Sequence, residues 1–112
     1  LLAWWELTGK PVFLTEFGAD TIQGLTSTVP LMWSEEYQCD FLKTYHQVMD
    51  RHDFVIGEHV WNFADFATKQ GIVRVDGNKK GVFTRDRRPK MAAHFLRERY
   101  SNIKDYYYKD KK

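Results

Sequence analysis

Lys10-Pro11-Val12-Phe13-Leu14-Thr15-Glu16-Phe17-Gly18-Ala19-Asp20 is the stretch around which the rest of the chain is organised. Val12, Phe13 and Leu14 are apolar on consecutive positions, with no alternation. That pattern suits a strand buried on both faces, as in a parallel sheet covered by helices. The run climbs to the polar pair Thr15 and Glu16, and Gly18 is then expected to turn the backbone sharply. Glu16 is therefore expected at the carboxyl end of a buried strand, where parallel sheets gather ligands and chemistry. A glutamate that merely caps the strand and faces water fits this stretch equally well, so the rest of the chain has to decide.

Upstream, Leu1 to Leu7 reads as the last turns of a helix, with Leu1, Trp4 and Trp5 on one face and Gly9 as its C-terminal cap. Downstream, Thr21 to Met32 has loop composition and leaves from the strand end that carries Glu16, so it is expected to overhang the same site. Ser34 is a good helix N-cap, and Glu35 and Glu36 load the first turn with favourable charge. Tyr37, Phe41, Leu42, Tyr45, Val48 and Met49 then recur at helical spacing to an end near Arg51 or His52. Phe54 to Phe63 is β-branched and aromatic and reads as a second strand. Strand, helix, strand is the βαβ unit, which puts Trp61 and Asn62 on the same side as Glu16. Ala64 to Arg88 is irregular and basic; structureless stretches of that length in compact domains are usually functional. Pro89 suits the first position of a last helix, with Ala92, Phe95, Leu96 and Arg99 giving it a face. Asp105 to Lys112 is a charged tail around a tyrosine cluster.

The bulk numbers narrow the classes. With 112 residues the chain makes one modest domain, and 43% hydrophobic with 29% charged residues is a globular composition, not a disordered one. Seventeen basic residues against 15 acidic give a net charge of +2, too small to argue for nucleic acid or a membrane surface. A single cysteine, Cys39, rules out an internal disulfide. No apolar run approaches transmembrane length. The chain opens without Met and inside a helix, and two strands with three helical pieces cannot close a parallel barrel, which needs about 200 residues or more. A piece of a larger domain is the expectation.

The candidate chemistry is short. Cys39 has no histidine partner visible in sequence and reads as structural. His46, His52, His59 and His94 show no metal-ligand spacing, so no metal and no cofactor are expected. Gly77-Asn78-Lys79-Lys80-Gly81 lacks the spacing of a phosphate loop. A carboxylate site remains: Glu16 and Trp61 at two strand ends, with Asn78 and Lys80 in the following loop, suits a negatively charged sugar. For Glu58 the plain reading is a strand residue bonded inside the fold. For Lys79, Lys80, Arg85, Arg87 and Arg88 it is a solvated basic loop.

Four segments carry a resemblance: Thr15 to Thr21, Met32 to Gln38, Gly57 to Phe66 and Gly77 to Arg85. Together they resemble the β-glucuronidases of the family 2 glycoside hydrolases, over about residues 10 to 100. Asn78 and Lys80 form the Asn-x-Lys pattern that separates glucuronidases from galactosidases in that family. The phrase around Trp33 and Gln70-Gly71-Ile72 look more like bacterial members than animal ones.

The resemblance implies an α/β fold in which this chain is the C-terminal portion of a (β/α)8 TIM barrel. Residues 1–103 would carry about strands seven and eight with their helices, and residues 104–112 a tail or the start of a linker. It implies that Glu16 is the nucleophile of a retaining mechanism and that Asn78 and Lys80 bind the substrate carboxylate. Trp61 and Arg74 would line the sugar site. The acid/base glutamate of an Asn-Glu pair is absent from this chain, which is therefore expected to be inactive alone. The implied partners are glucuronide small molecules or glycans, with no nucleic acid and no membrane, in a cytoplasmic, homo-oligomeric full-length protein. The competing reading is a small α/β module that binds an anionic polymer through the basic 79–90 loop. A third, another glycosidase specificity such as galactoside, is opposed by the Asn78 and Lys80 pair.

Overall fold

The computed structural model describes residues 1–103; the tyrosine-rich tail lies outside the described residues. Five elements succeed one another: α1 (Leu2–Thr8), β1 (Val12–Phe17), α2 (Glu35–Asp50), β2 (Val55–Val60) and α3 (Met91–Asn102). β1 and β2 pair in parallel, with Val12 opposite Val55, Phe13 opposite Gly57, Leu14 opposite Glu58 and Phe17 opposite Val60. The α2 crossover between them makes the βαβ unit that the sequence pattern predicts, and α3 packs against α2.

Local signals account for the element ends. Gly9 closes α1 in the left-handed region at φ 60°. Ser34 caps α2, its hydroxyl accepting the Tyr37 N–H at 3.1 Å. Long-range bonds move the other ends. β2 is shorter than the expected Phe54 to Phe63, because the chain changes partners beyond Val60. Trp61 N–H makes the last bond to β1, at Phe17 C=O, and Asn62 and Phe63 then pair with the 80–83 segment. Pro89 is not the first residue of α3. Lys90 N–H is bonded to Val82 C=O, which keeps residues 89 and 90 extended and delays the helix to Met91.

The core is Phe17, Leu42, Met49, Val82, Ala92 and Leu96. One expectation about burial fails. In β1 only Phe17 is buried; Phe13 is 43% exposed, because the described chain offers the strand one sheet neighbour. In α1 no residue is buried. The inward stripe of α2 is Gln38, Leu42, His46 and Met49, while Tyr45 and Val48 lie on the exposed side. The apolar count missed Gln38 and His46 because both are polar residues buried by distant partners. Gln38 Nε2 donates to Gly81 C=O at 3.0 Å, and His46 stacks on Phe95 with ring centroids 5.6 Å apart.

Candidate active site

Glu16 is the penultimate residue of β1, at its carboxyl end, and its side chain is exposed. The neighbouring strand end comes close for a specific reason. A Cβ at Gly18 would overlap the Trp61 carbonyl oxygen, so only glycine lets the two segments touch. Gly18 thus serves close approach; it is not among the positive-φ glycines, contrary to the sharp turn expected of it.

A backbone ladder then runs sideways from Glu16. Trp61 N–H donates to Phe17 C=O at 2.8 Å, and Asn62 N–H donates to Lys80 C=O at 3.0 Å. Thr21 N–H, just beyond β1, donates to Lys79 C=O at 2.8 Å. Glu16, Trp61, Asn78 and Lys80 therefore belong to three segments laced together at the carboxyl ends of two parallel strands. Trp61 is 38% exposed, its ring edge-on to Phe66 at 6.1 Å.

The two side chains of the Asn-x-Lys turn are oriented differently. Asn78 is buried, and its Oδ1 accepts the Lys80 N–H at 2.9 Å. That bond fixes the amide with Nδ2 as its remaining donor. Lys80 is half-buried, and no carboxylate pairs with it among the described residues. Lys79, one residue earlier, is neutralised by Asp76 at 3.1 Å.

Arg74 is not drawn into this group. Its guanidinium meets the Val73 carbonyl at 3.5 Å, and its own C=O accepts the Gly71 N–H, so its bonds are local to the loop. The Thr21 to Met32 loop does not stand over Glu16 in any bond it makes. Glu35 holds it at Gly24 N–H and Glu36 holds it at Ser27 N–H. It shares with the 75–88 segment an open groove of about 760 Å³ lined by Ile22, Trp33, Lys79 and Arg85.

The basic loop is less free than its composition suggests. Arg88 pairs with Asp86 at 3.0 Å, Lys79 with Asp76, and Lys90 with Asp65 at 2.9 Å. Glu58 is bonded inside the fold, accepting from Arg99 Nε at 2.8 Å. Cys39 is half-buried on α2, and burial, then the charges of Glu35 and Glu36, push its thiol up to about 11. It is poorly suited to be a nucleophile.

Sequence reading passed over four residues that build this region: Asp20, Gln38, Asp65 and Lys90. One of them carried a local signal. Lys90 precedes a helix, where the dipole disfavours a cation. A lysine in that place calls for an explanation that propensity does not supply.

Parallel strands with polar side chains gathered at their carboxyl ends define a parallel α/β protein whose chemistry belongs at that end of the sheet. Residues 1–105 match the family model described as "Glycosyl hydrolases family 2, TIM barrel domain", and the chain belongs to that family. A β-glucuronidase from Paenibacillus borealis is 60% identical over 108 residues, covering 91% of this chain and 18% of that protein. A β-glucuronidase from Rattus norvegicus is 54% identical over 102 residues, covering 89% of this chain and 16% of that protein. Of these two the bacterial relative is the more similar, as the phrase around Trp33 implied.

Among solved structures, the β-D-glucuronidase of Dictyoglomus thermophilum superposes with a TM-score of 0.87 at 63% identity, over 91% of this chain and 18% of that one. The Bifidobacterium dentium β-glucuronidase complexed with coumarin-3-O-glucuronide gives 0.89 at 57% identity, over 94% and 17%. The chain thus spans less than a fifth of the length of the relatives it matches. No helix among the described residues is long and apolar enough to cross a membrane.

Proposed function

We propose that residues 1–103 form about the last two βα units of a (β/α)8 barrel in a retaining β-glucuronidase, with residues 104–112 as a tail or the start of a linker. The observation that carries this reading is the backbone ladder from Phe17 through Trp61 and Asn62 to Lys80. It laces the strand end that carries a bare carboxylate to a turn that carries one amide donor and one unpaired ammonium. A uronic acid glycoside needs both halves: a nucleophile at the anomeric carbon and a cation for the carboxylate. The exposed apolar faces of α1 and β1 support a larger barrel around the segment.

In this reading Glu16 attacks the anomeric carbon and forms a glycosyl ester while the glycosidic C–O bond breaks. A second carboxyl, about 5–5.5 Å away, protonates the departing aglycone oxygen and then takes a proton from the water that cleaves the ester. That carboxyl comes from outside residues 1–112, so this chain alone turns over no glucuronide. Lys80 pairs with the uronate and Asn78 Nδ2 donates to it, both charge-assisted bonds of the strong kind. Trp61 gives the sugar an apolar platform; Arg74 is assigned to the sugar site by resemblance alone, its own bonds staying within its loop. In this reading the full-length protein is homo-oligomeric and cytoplasmic.

The test is covalent. The full-length protein carrying this segment, incubated with a 2-fluoro glucuronide bearing a good leaving group, should be inactivated and give a labelled peptide at Glu16. A label on Glu58, or inactivation without any label, would sink the assignment.

A further inference from the structure

The turn from Asn78 to Gly81 has a partner for every backbone polar group. Asn78 exchanges bonds with Phe66, N–H to C=O at 2.9 Å and 3.2 Å. Lys79 N–H donates to Asp20 Oδ1 at 3.2 Å, and its C=O accepts from Thr21 N–H and from Lys90 Nζ at 3.1 Å. Lys80 N–H donates to Asn78 Oδ1, and its C=O accepts from Asn62. Gly81 N–H donates to Asp65 Oδ1 at 2.9 Å, and its C=O accepts from Gln38 Nε2. A Cβ at Gly81 would overlap the Asp65 backbone nitrogen, so glycine alone lets the turn close there.

Lys90 lies at the centre of this lacing. Its side chain is fully buried, and an ammonium has three N–H donors. Three acceptors meet it: Thr21 C=O at 2.8 Å, Asp65 Oδ1 at 2.9 Å and Lys79 C=O at 3.1 Å. A buried ammonium is costly even when paired. Its place before α3 sets it against the helix dipole. Burial pushes its pKa below the usual lysine range, while Asp65 pulls the other way. Glu35 relieves part of that cost, because its Oε1 accepts the Met91 N–H at 2.6 Å and supplies the anion that the helix start favours. What the ammonium grips is specific: the carbonyl between Asn78 and Lys80, the carbonyl beyond Asp20, and the carboxylate that holds Gly81.

We propose that Lys90, together with Asp65 and Asp20, is a positioning device for the uronate-reading turn. It fixes where Asn78 Nδ2 and Lys80 Nζ stand relative to Glu16, and so sets the preference for a uronate over a neutral sugar without touching either. The proposal rests on the glucuronide reading above. An Å-scale displacement in a site costs about a hundredfold in rate, so loosening this turn should be read mainly by the substrate that uses it.

The experiment compares kcat/KM for a chromogenic glucuronide and the matching glucoside in the full-length protein, for the parent, Lys90→Met, Lys90→Arg and Asp20→Ala. Lys90→Met should lower the glucuronide value by about ten- to a hundredfold and the glucoside value far less. Lys90→Arg should not rescue it, because a planar guanidinium cannot reproduce three tetrahedral bonds. Asp20→Ala removes one bond from Lys79 N–H only. It should move the preference in the same direction by a few-fold in a protein that stays folded, with at most a modest drop in melting temperature. Equal losses on both substrates, or an unmoved preference in folded Lys90→Met, would overturn the proposal. Should Lys90→Met not fold, Asp20→Ala decides, and an unmoved preference there overturns it. A parent without glucuronide turnover would overturn the functional reading itself, and that is seen before any variant is made.

Discussion

The turn at Asn78 to Gly81 and the end of β1 at Glu16 sit side by side but are finished to different degrees. In the turn every backbone group is bonded within the chain, and an internal ion pair anchors it. At Glu16 the side chain is exposed and makes no bond with another described residue. On the proposed reading, the difference teaches that this segment holds its recognition turn in place by itself and leaves the nucleophile without partners among the described residues. In that reading the donors that set the orientation and basicity of Glu16 would come from outside the described residues. Changes in the turn should therefore alter which sugar is used, and changes at Glu16 should stop the chemistry on every sugar.

The largest effect tests that division directly. Glu16→Gln keeps the size and polarity of the side chain but removes the nucleophilic carboxylate. In the full-length protein, activity on glucuronide and glucoside alike should fall by several orders of magnitude while the circular dichroism spectrum is kept. A loss confined to glucuronides would break the comparison, because Glu16 would then belong to recognition.

Next comes Lys80→Ala. Hydrogen bonds to charged groups contribute about 1.5–3 kcal/mol each, and about 1.4 kcal/mol is tenfold. The glucuronide kcat/KM should fall by roughly ten- to a hundredfold, with the glucoside value little changed. Asn78→Ala should act in the same direction and less strongly, although its loss also frees the Lys80 N–H. Steady-state kinetics on the paired substrates would show equal losses if Lys80 serves the fold.

How far the sequence reveals these parts depends on the range of the interactions that make them. Gly9 and the Ser34 cap are local devices, and both were legible. The strand that ends in Glu16 was legible from its apolar run, and the strand, helix, strand order from the periodicities downstream of it. The inward stripe of α2 was not, because Gln38 and His46 are polar and their partners lie far along the chain, at Gly81 and Phe95. Lys90 carries the local signal of a cation ahead of a helix, but its role was hidden for the same reason: its acceptors at Thr21 and Asp65 are 69 and 25 residues away. Asn78 and Lys80 were picked out as polar groups of the loop that follows the second strand, and only resemblance gave them the substrate carboxylate; no periodicity would have singled them out. Arg74 came from resemblance too, and the bonds of its loop are local ones.

A smaller effect comes from the far side of the sheet, where a third kind of polar burial occurs. His46 is buried on α2 with both ring nitrogens lacking a hydrogen bond. Its Nε2 lies 3.5 Å from Glu58 of β2. Burial and then the Arg99 guanidinium of α3 hold its pKa below the ordinary 6.5, against Glu58 and Asp50. The unfolded chain takes up this proton near the ordinary value and the fold resists it. The stability that His46 contributes is therefore full above about pH 6.5 and is lost as pH falls toward the lowered pKa. Amide exchange in α2 and α3 of the full-length protein, corrected for intrinsic rates, should quicken a few-fold from about pH 7.5 to about pH 5.5. His46→Phe keeps a ring against Phe95 and should flatten that dependence. An equally steep dependence in His46→Phe would place the titrating group elsewhere.

The smallest expected effect is the one that most sharpens the comparison. Lys79 and Lys80 are adjacent, carry the same charge and belong to the same laced turn, so nothing in their order along the chain ranks them. Their surroundings do. Lys79 Nζ is paired with Asp76, whose side chain is 86% exposed, so its charge is largely answered before any substrate arrives. Exposed pairs of this kind contribute about 0.2–1 kcal/mol. The bonds by which Lys79 supports the turn run through its backbone N–H and C=O, which an alanine retains. Lys79→Ala should therefore leave the glucuronide-to-glucoside preference within about twofold of the parent and lower the melting temperature slightly at most. Freeing Asp76 should even add a weak repulsion toward a uronate, which raising the salt concentration should remove. The two lysines thus give opposite forecasts from one turn. A preference that collapses in Lys79→Ala and survives in Lys80→Ala would mean that the unpaired ammonium is not the one that reads the carboxylate, and the backbone lacing would then hold the wrong side chain toward the sugar.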